Sequence, residues 1–293
     1  MGELKHKHLE IGYSVKQIKN GGGDVIFSHG KNFGIGDWSG HHGNTNKLAR
    51  MGNKIIKKSF SNRSLKNAVT TANKNLFTAL ENLQDAEVYR LALKDPKILE
   101  NTNLYSRQVK GINTIEELKL KTKQKAIALA KKISGKKPNA QYDEKSITAH
   151  FFNFNQKKGL TNVNAGHEAP IHLYENAQGK YDYKILEGGK DFAPGIPLGI
   201  YNVEYQEKKL AFPKNSIILA YTDGLLDRQV NGRNTLLGDQ GRKALAEIAI
   251  KILKQKKGIS MKKLAKKIHN EIREKYGKAT DDEALLVFRR KAA

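Results

Sequence analysis

The chain of 293 residues contains no cysteine. That absence excludes a disulfide framework, a thiolate metal site and a cysteine nucleophile. Phosphoester cleavage through a cysteinyl intermediate is excluded with them. A chain without thiols fits a reducing compartment, and the cytoplasm is the expected location. Also missing is any apolar run near the roughly 18 residues that a membrane-spanning helix requires, so no membrane span is expected in this chain. The opening residues Met1 to His8 lack the apolar stretch of a secretion signal. The nine histidines show neither HExxH nor HxxxH spacing, which leaves a zinc-protease reading without support. Gly21-Gly22-Gly23 lacks the GxxxxGK[ST] pattern and a following helix, so it reads as a tight turn that glycine permits and not as a nucleotide cradle.

Acidic residues are in the minority, 29 against 53 basic, which leaves a net charge of +24. A field of that sign favours acidic partners such as a phosphoprotein. Most of the lysines fall on predicted helix surfaces, where a solvated face is the plainer account. The basic helices lack the interleaved aromatics of single-strand binders. No helix-turn-helix or RRM pattern is present, and no nucleic-acid partner is expected. Hydrophobic content of 38% and charged content of 28% describe a soluble globular chain. Its length suffices for one large core or two small ones.

Strand patterns come first. Leu9 to Val15 alternates, and Asp24 to His29 and Asn32 to Asp37 form a predicted hairpin turning at Gly30-Lys31. Helical spacing follows in Leu48, Met51, Ile55 and Ile56, and again from Leu65 to Leu83. The stretch at about 84–145 breaks the pattern. Within it, Arg107 to Lys137 carries ten basic residues against two acidic ones, and Thr114-Ile115-Glu116-Glu117 suits a capping box. It reads as a Lys-rich helical insertion in a single domain spanning 1–293. Strands return at 146–154, 159–167, 170–174 and 181–186. Two helices follow, one with Leu245, Ile248, Ala249, Ile252 and Leu253 on its inner face. The second is capped by Ser260 and stopped by Gly277. A last strand spans Ala284 to Arg289. Blocks of strands and helices in this order make an α+β layout rather than an alternating parallel one.

Aspartates mark the turns and strand ends: Asp24 after Gly21-Gly22-Gly23, Asp37 in Gly36-Asp37-Trp38, Asp223 in Thr222-Asp223-Gly224, and the pair Asp281-Asp282. Any one alone would pass for a turn former. Together they suit hard divalent cations, which take carboxylate, carbonyl and water oxygens.

Six motifs occur in order: Gly22-Gly23-Asp24, Gly36-Asp37-Trp38-Ser39-Gly40-His41, Asn164-Ala165-Gly166-His167, Pro197-Leu198-Gly199, Tyr221-Thr222-Asp223-Gly224 and Thr280-Asp281-Asp282. In this the chain resembles the SpoIIE/RsbU type of bacterial PPM (PP2C-like) serine/threonine phosphatase, over roughly 10–83 and 146–290. The resemblance implies an α-β-β-α sandwich of two antiparallel sheets flanked by helices. It implies two Mn²⁺ or Mg²⁺ ions, with Asp37 bridging, Asp223 and Asp281 completing one site, and Asp24 with the Trp38 carbonyl serving the other. Asp282 ranks second to Asp281. The ions would activate a water for in-line attack on phosphoserine or phosphothreonine. His41 is a candidate donor to the phosphate or general acid, and His167 a residue that fixes a turn. The implied partner is a phosphoprotein, an anti-anti-sigma-like regulator for example, with an upstream sensor domain or activator acting through the two helices after Thr45. Glu283-Ala284 departs from the apolar residue and threonine that usually follow the second aspartate of the last motif. The alternative is a catalytically weak scaffold or binding module of the same fold.

Overall fold

The computed structural model describes residues 1–17, 23–38, 45–60, 64–92, 146–188, 192–230, 233–234 and 238–291. Its strands run β1 (Gly2–Leu4), β2 (Leu9–Lys16), β3 (Val25–His29), β4 (Asn32–Trp38), β5 (Ile147–Asn155), β6 (Gly159–Ala165), β7 (Ile171–Glu175), β8 (Tyr181–Ile185), β9 (Lys208–Leu210), β10 (Ile217–Tyr221), β11 (Gln229–Val230), β12 (Arg233–Asn234) and β13 (Glu283–Arg290). The helices are α1 (Thr45–Ser59), α2 (Leu65–Ala92), α3 (Gly238–Gln255) and α4 (Met261–Tyr276).

Two antiparallel sheets face one another. One has the order β1-β2-β13-β10-β7-β8 and the other β3-β4-β5-β6-β9. The two-residue period of a strand explains why both sheets are buried on both faces. In β10, Ile218 and Ala220 point into the layer between the sheets, where they join Leu286 and Phe288 of β13, Ile11 of β2, Ile35 of β4 and Phe152 of β5. The intervening Ile217, Leu219 and Tyr221 point outward to Leu245, Ala249 and Ile252 of α3 and Leu264 and Ile268 of α4. On the far side Ile147, Ala149 and Phe151 of β5 meet Ile56 of α1 and Val69, Ala72 and Leu76 of α2. The result is the expected α-β-β-α sandwich. No helix among the described residues is long and apolar enough to cross a membrane.

The caps behave as their chemistry requires. The Ser260 side chain accepts from the Lys263 N–H at the start of α4, and Gly277 ends it at φ 85°. Helix α2 runs to Ala92, nine residues beyond the Leu83 end expected from apolar spacing. The rest of the Lys-rich stretch, 93–145, lies outside the described residues, as do Ser39 to Asn44.

A buried amide fixes α2 to the Pro197-Leu198-Gly199 motif. Asn73 is fully buried. Its Nδ2 donates to the carbonyls of Tyr201 (2.8 Å) and Val203 (3.3 Å), and its Oδ1 accepts from the Gly199 N–H (2.9 Å). Leu198 in turn exchanges both backbone hydrogen bonds with Ile147. Asn73→Ala strands several buried polar groups at about 1–3 kcal/mol each. Its midpoint of thermal unfolding should fall by several degrees; an unchanged midpoint would show that the clasp carries no weight.

Candidate metal centre

All of the aspartate-bearing turns gather at one end of the sandwich. Asp24 immediately precedes β3, and Asp37 and Trp38 end β4. Asp223 follows β10 and opens a single 3-10 turn, Asp223–Leu225, and Asp282 immediately precedes β13. The first two belong to one sheet and the others to the second, so the site spans the gap between the sheets.

Thr222 joins the halves. Its Oγ1 donates to Asp24 Oδ2 at 2.8 Å and accepts from the Ala284 N–H at 2.9 Å. Its own N–H donates to the Ala284 carbonyl at 3.1 Å. Asp282 makes a second link: its Oδ2 accepts from the Gly23 N–H at 2.8 Å across 259 residues of chain. Two glycines allow the approach. A Cβ on Gly23 would lie 2.7 Å from the Trp38 carbonyl oxygen and 2.8 Å from Asp37 Oδ1, and one on Gly224 would lie 1.9 Å from the Asp282 carbonyl oxygen. Gly23 also accepts from the Trp38 N–H at 3.2 Å. Helix α1 sits directly on this corner, since a Cβ on Gly52 would stand 1.9 Å from the Trp38 ring.

The electrostatics tie the carboxylates into two overlapping groups. Asp24, 5% exposed, has its carboxyl pushed up to about 9, chiefly by burial and then by the Asp37 charge. The Thr222 hydrogen bond opposes that rise, while Asp282 and Asp223 add to it. Asp227 is raised by burial and by the charges of Asp223 and Asp281. Glu168 is raised by burial; Arg242 opposes the rise, and Asp223 and Asp227 add to it. Asp223 therefore belongs to both groups: with Asp24, Asp37 and Asp282 on one side, and with Asp227 and Asp281 on the other. Among the described residues no three Asp, Glu or His side chains converge on a single point as a closed ligand cage. The donors are all hard oxygens, and like charges so disposed suit divalent cations placed between them.

The raised Asp24 sets a pH dependence. The side chain ionises near 3.8 ordinarily and near 9 in the fold, so between these values the folded chain holds the extra proton. Stability of the metal-free protein should then fall as pH rises from about 4 to about 9. Divalent-cation uptake at pH 7 should release about one proton, because the cation displaces it. Calorimetry in two buffers of different ionisation enthalpy reads this directly, and identical heats would contradict it.

The structure thus brings Asp24, Asp37, Trp38, Asp223 and Asp281 to the same end of the sandwich, and His41 lies outside the described residues. Asp282 Oδ2 accepts from the Gly23 N–H and the residue is only 8% exposed, while Asp281 Oδ1 accepts from the Asp282 N–H at 2.8 Å. His167 sits in a fixed turn: its backbone N–H donates to Asn164 Oδ1 at 3.2 Å while Asn164 Nδ2 donates to its carbonyl at 2.8 Å. Two members escaped the sequence reading. Thr222 carried a motif position without a role. Asp227 lies four residues after Asp223, a spacing that returns to the same side of a helical turn and could have signalled it.

The model of the family described as Stage II sporulation protein E (SpoIIE) matches residues 111–291, more than half of the chain. No curated protein matches. Among solved structures, the RsbU and RsbW domains of a Mycobacterium tuberculosis protein superpose with a TM-score of 0.56 at 16% identity, covering 97% of this chain and 60% of that one. The PP2C phosphatase domain of SpoIIE from Bacillus subtilis, with a fragment of its regulatory domain, gives 0.52 at 11% identity, covering 98% and 64%. The catalytic domain of the serine/threonine phosphatase PstP, in complex with two manganese ions, gives 0.52 at 10% identity, covering 97% and 99%. The chain thus spans less than two thirds of the first and second of these, and identities so low speak for the fold alone. With the family match over more than half of its length and the same two-sheet sandwich, the chain belongs to the SpoIIE family and carries the PP2C-type phosphatase fold.

Proposed function

We propose that this protein is a metal-dependent serine/threonine phosphatase that releases phosphate from a phosphoprotein. One observation supports this above the others: the carboxylates gather at one end of the sandwich, where Asp37 and Asp223 both act on the buried Asp24 carboxyl and Asp223 and Asp281 both act on Asp227. Two Mn²⁺ or Mg²⁺ ions, when bound, would supply water activation and neutralise charge on the phosphoryl group. Asp37 would bridge them, with Asp24 and the Trp38 carbonyl on one side and Asp223 and Asp281 on the other. Thr222 holds the Asp24 carboxyl in one orientation. Asp282 fixes the Gly23 backbone beside it. His41 would donate to the phosphate. No protein nucleophile is needed, which suits a chain without cysteine.

The net charge of +24 favours an acidic phosphoprotein, and we place an anti-anti-sigma-like regulator in that role, in the cytoplasm. An upstream sensor or activator would act through α1, whose seat on Trp38 connects it to the cleft. The decisive experiment is phosphate release from a phosphoserine peptide by wild type and Asp223→Asn, with Mn²⁺, Mg²⁺ or EDTA. Turnover that needs metal and is lost in the variant is expected. No turnover with any metal, together with no metal binding, would sink the enzymatic reading and favour a scaffold.

A further inference from the structure

Beneath the Asp223 and Asp281 turns lies a buried charged cluster. Arg228 and Glu283 are both 0% exposed and His269 of α4 is 4% exposed. Arg228 Nη2 pairs with Glu283 Oε1. The other carboxylate oxygen of Glu283, Oε2, lies 2.7 Å from His269 Nε2. The guanidinium also grips backbone on both sides. Its Nε and Nη2 donate to the Leu225 carbonyl at 3.1 and 2.9 Å, and its Nη1 donates to the Gly277 carbonyl at 3.4 Å. Its backbone forms an isolated antiparallel bridge with Ala279. Leu225 ends the turn that Asp223 opens. Gly277 and Ala279 lead into Asp281, and Glu283 follows two residues after it. One guanidinium thus ties the segment that follows Asp223 to the segment that leads into Asp281.

Stability alone does not account for such a cluster. Buried ion pairs repay their desolvation poorly, and apolar replacements of similar volume are often neutral or stabilising. Glu283 also stands where the resemblance leads one to expect an apolar residue. What an apolar pair would not supply is the forked set of donors to the Leu225 and Gly277 carbonyls, which are planar and directional. We propose that Arg228, held by Glu283, is a positioning residue for the metal centre, setting the separation of Asp223 from Asp281 that a divalent cation needs. This rests on the metal reading given above.

Mn²⁺ binding by calorimetry, thermal unfolding and amide exchange of residues 223–227 in metal-free protein test it on wild type, Arg228→Met/Glu283→Leu and Arg228→Lys. The double variant should stay folded with an unfolding midpoint lowered by several degrees, because the Leu225 and Gly277 carbonyls and His269 Nε2 lose their partners. Its Mn²⁺ affinity should weaken about 10–100-fold, as losses of outer partners do, and its 223–227 amides should exchange faster. Arg228→Lys retains the charge opposite Glu283 but lacks the fork, and its Mn²⁺ affinity should also fall about tenfold. Should the double variant fail to fold, the lysine variant decides alone. Wild-type affinity in a folded variant would overturn the positioning role while leaving the metal reading in place. Wild-type protein that takes up no Mn²⁺ would overturn both.

Discussion

Asp37→Ala should lower metal-dependent phosphate release by on the order of 10³-fold or more while the protein stays folded. The figure follows from the several kcal/mol of charge stabilisation that a bound cation contributes and the 1.36 kcal/mol that each factor of ten represents. Asp37 sits at the end of β4 and is the largest charge acting on the Asp24 carboxyl after burial itself. Its removal costs the fold little, because it also removes a repulsion: the Asp24 carboxyl should come down from about 9. Steady-state rates with saturating Mn²⁺, Mn²⁺ calorimetry and circular dichroism check the three parts. A variant with normal turnover would remove Asp37 from the centre of the site. A variant that unfolds would show that it serves the β4–β5 pairing instead.

Gly224→Ala should damage both stability and activity. A Cβ there would stand 1.9 Å from the Asp282 carbonyl oxygen and 3.0 Å from its carbonyl carbon. Both are backbone atoms, so no side chain can swing aside, and the β10 and β13 ends must part. Overpacking of this kind costs about 1–3 kcal/mol. The larger effect falls on the chemistry, since the parted segments carry Asp223 on one side and Asp281 and Asp282 on the other. A displacement near 1 Å can cost about 10²-fold in rate, and a loss of that size is expected. Gly30→Ala is the matched control. Gly30 needs its left-handed φ of 61° for the β3–β4 turn, yet nothing lies within 4 Å of an added Cβ. It should cost some stability and leave turnover unchanged. Equal losses of rate in the two variants would mean that general weakening, and not the seating of Gly224 on Asp282, explains the first.

The layers of this fold are legible in the sequence because strands buried on both faces read as unbroken apolar runs. Ile217-Ile218-Leu219-Ala220-Tyr221 is the clearest, and all five are buried. The hairpin at Gly30-Lys31 and the Ser260 and Gly277 caps follow from local backbone chemistry alone, and they fall where the residues place them. Strands of two or three residues, such as β1, β9, β11 and β12, are too short to show a period. The continuation of α2 to Ala92 is legible after the fact, since apolar residues go on through Ala86, Val88, Leu91 and Ala92 and the next strong helix breaker is Asp95-Pro96.

At the site, glycine beside aspartate at strand ends marks Asp24, Asp37 and Asp223 in the sequence, and the doubled carboxylate of Asp281-Asp282 marks Asp281. The partners that hold them were not visible. Thr222 reaches Asp24 across 198 residues, and Asp282 reaches Gly23 across 259. Arg228 and Glu283 are the sharpest case. Charge in a sequence reads as surface, and two ions 55 positions apart carry no local sign that they will be buried together. Only the return of β13 beside β10 brings them into contact.

The most direct test is where Mn²⁺ goes. Crystals grown with Mn²⁺, measured at the manganese absorption edge, should show two anomalous peaks about 3.5–4 Å apart. Both should lie among Asp24, Asp37, the Trp38 carbonyl, Asp223 and Asp281, with Asp37 touching both. Peaks elsewhere on the surface, or none at this end of the sandwich at saturating Mn²⁺, would contradict the account.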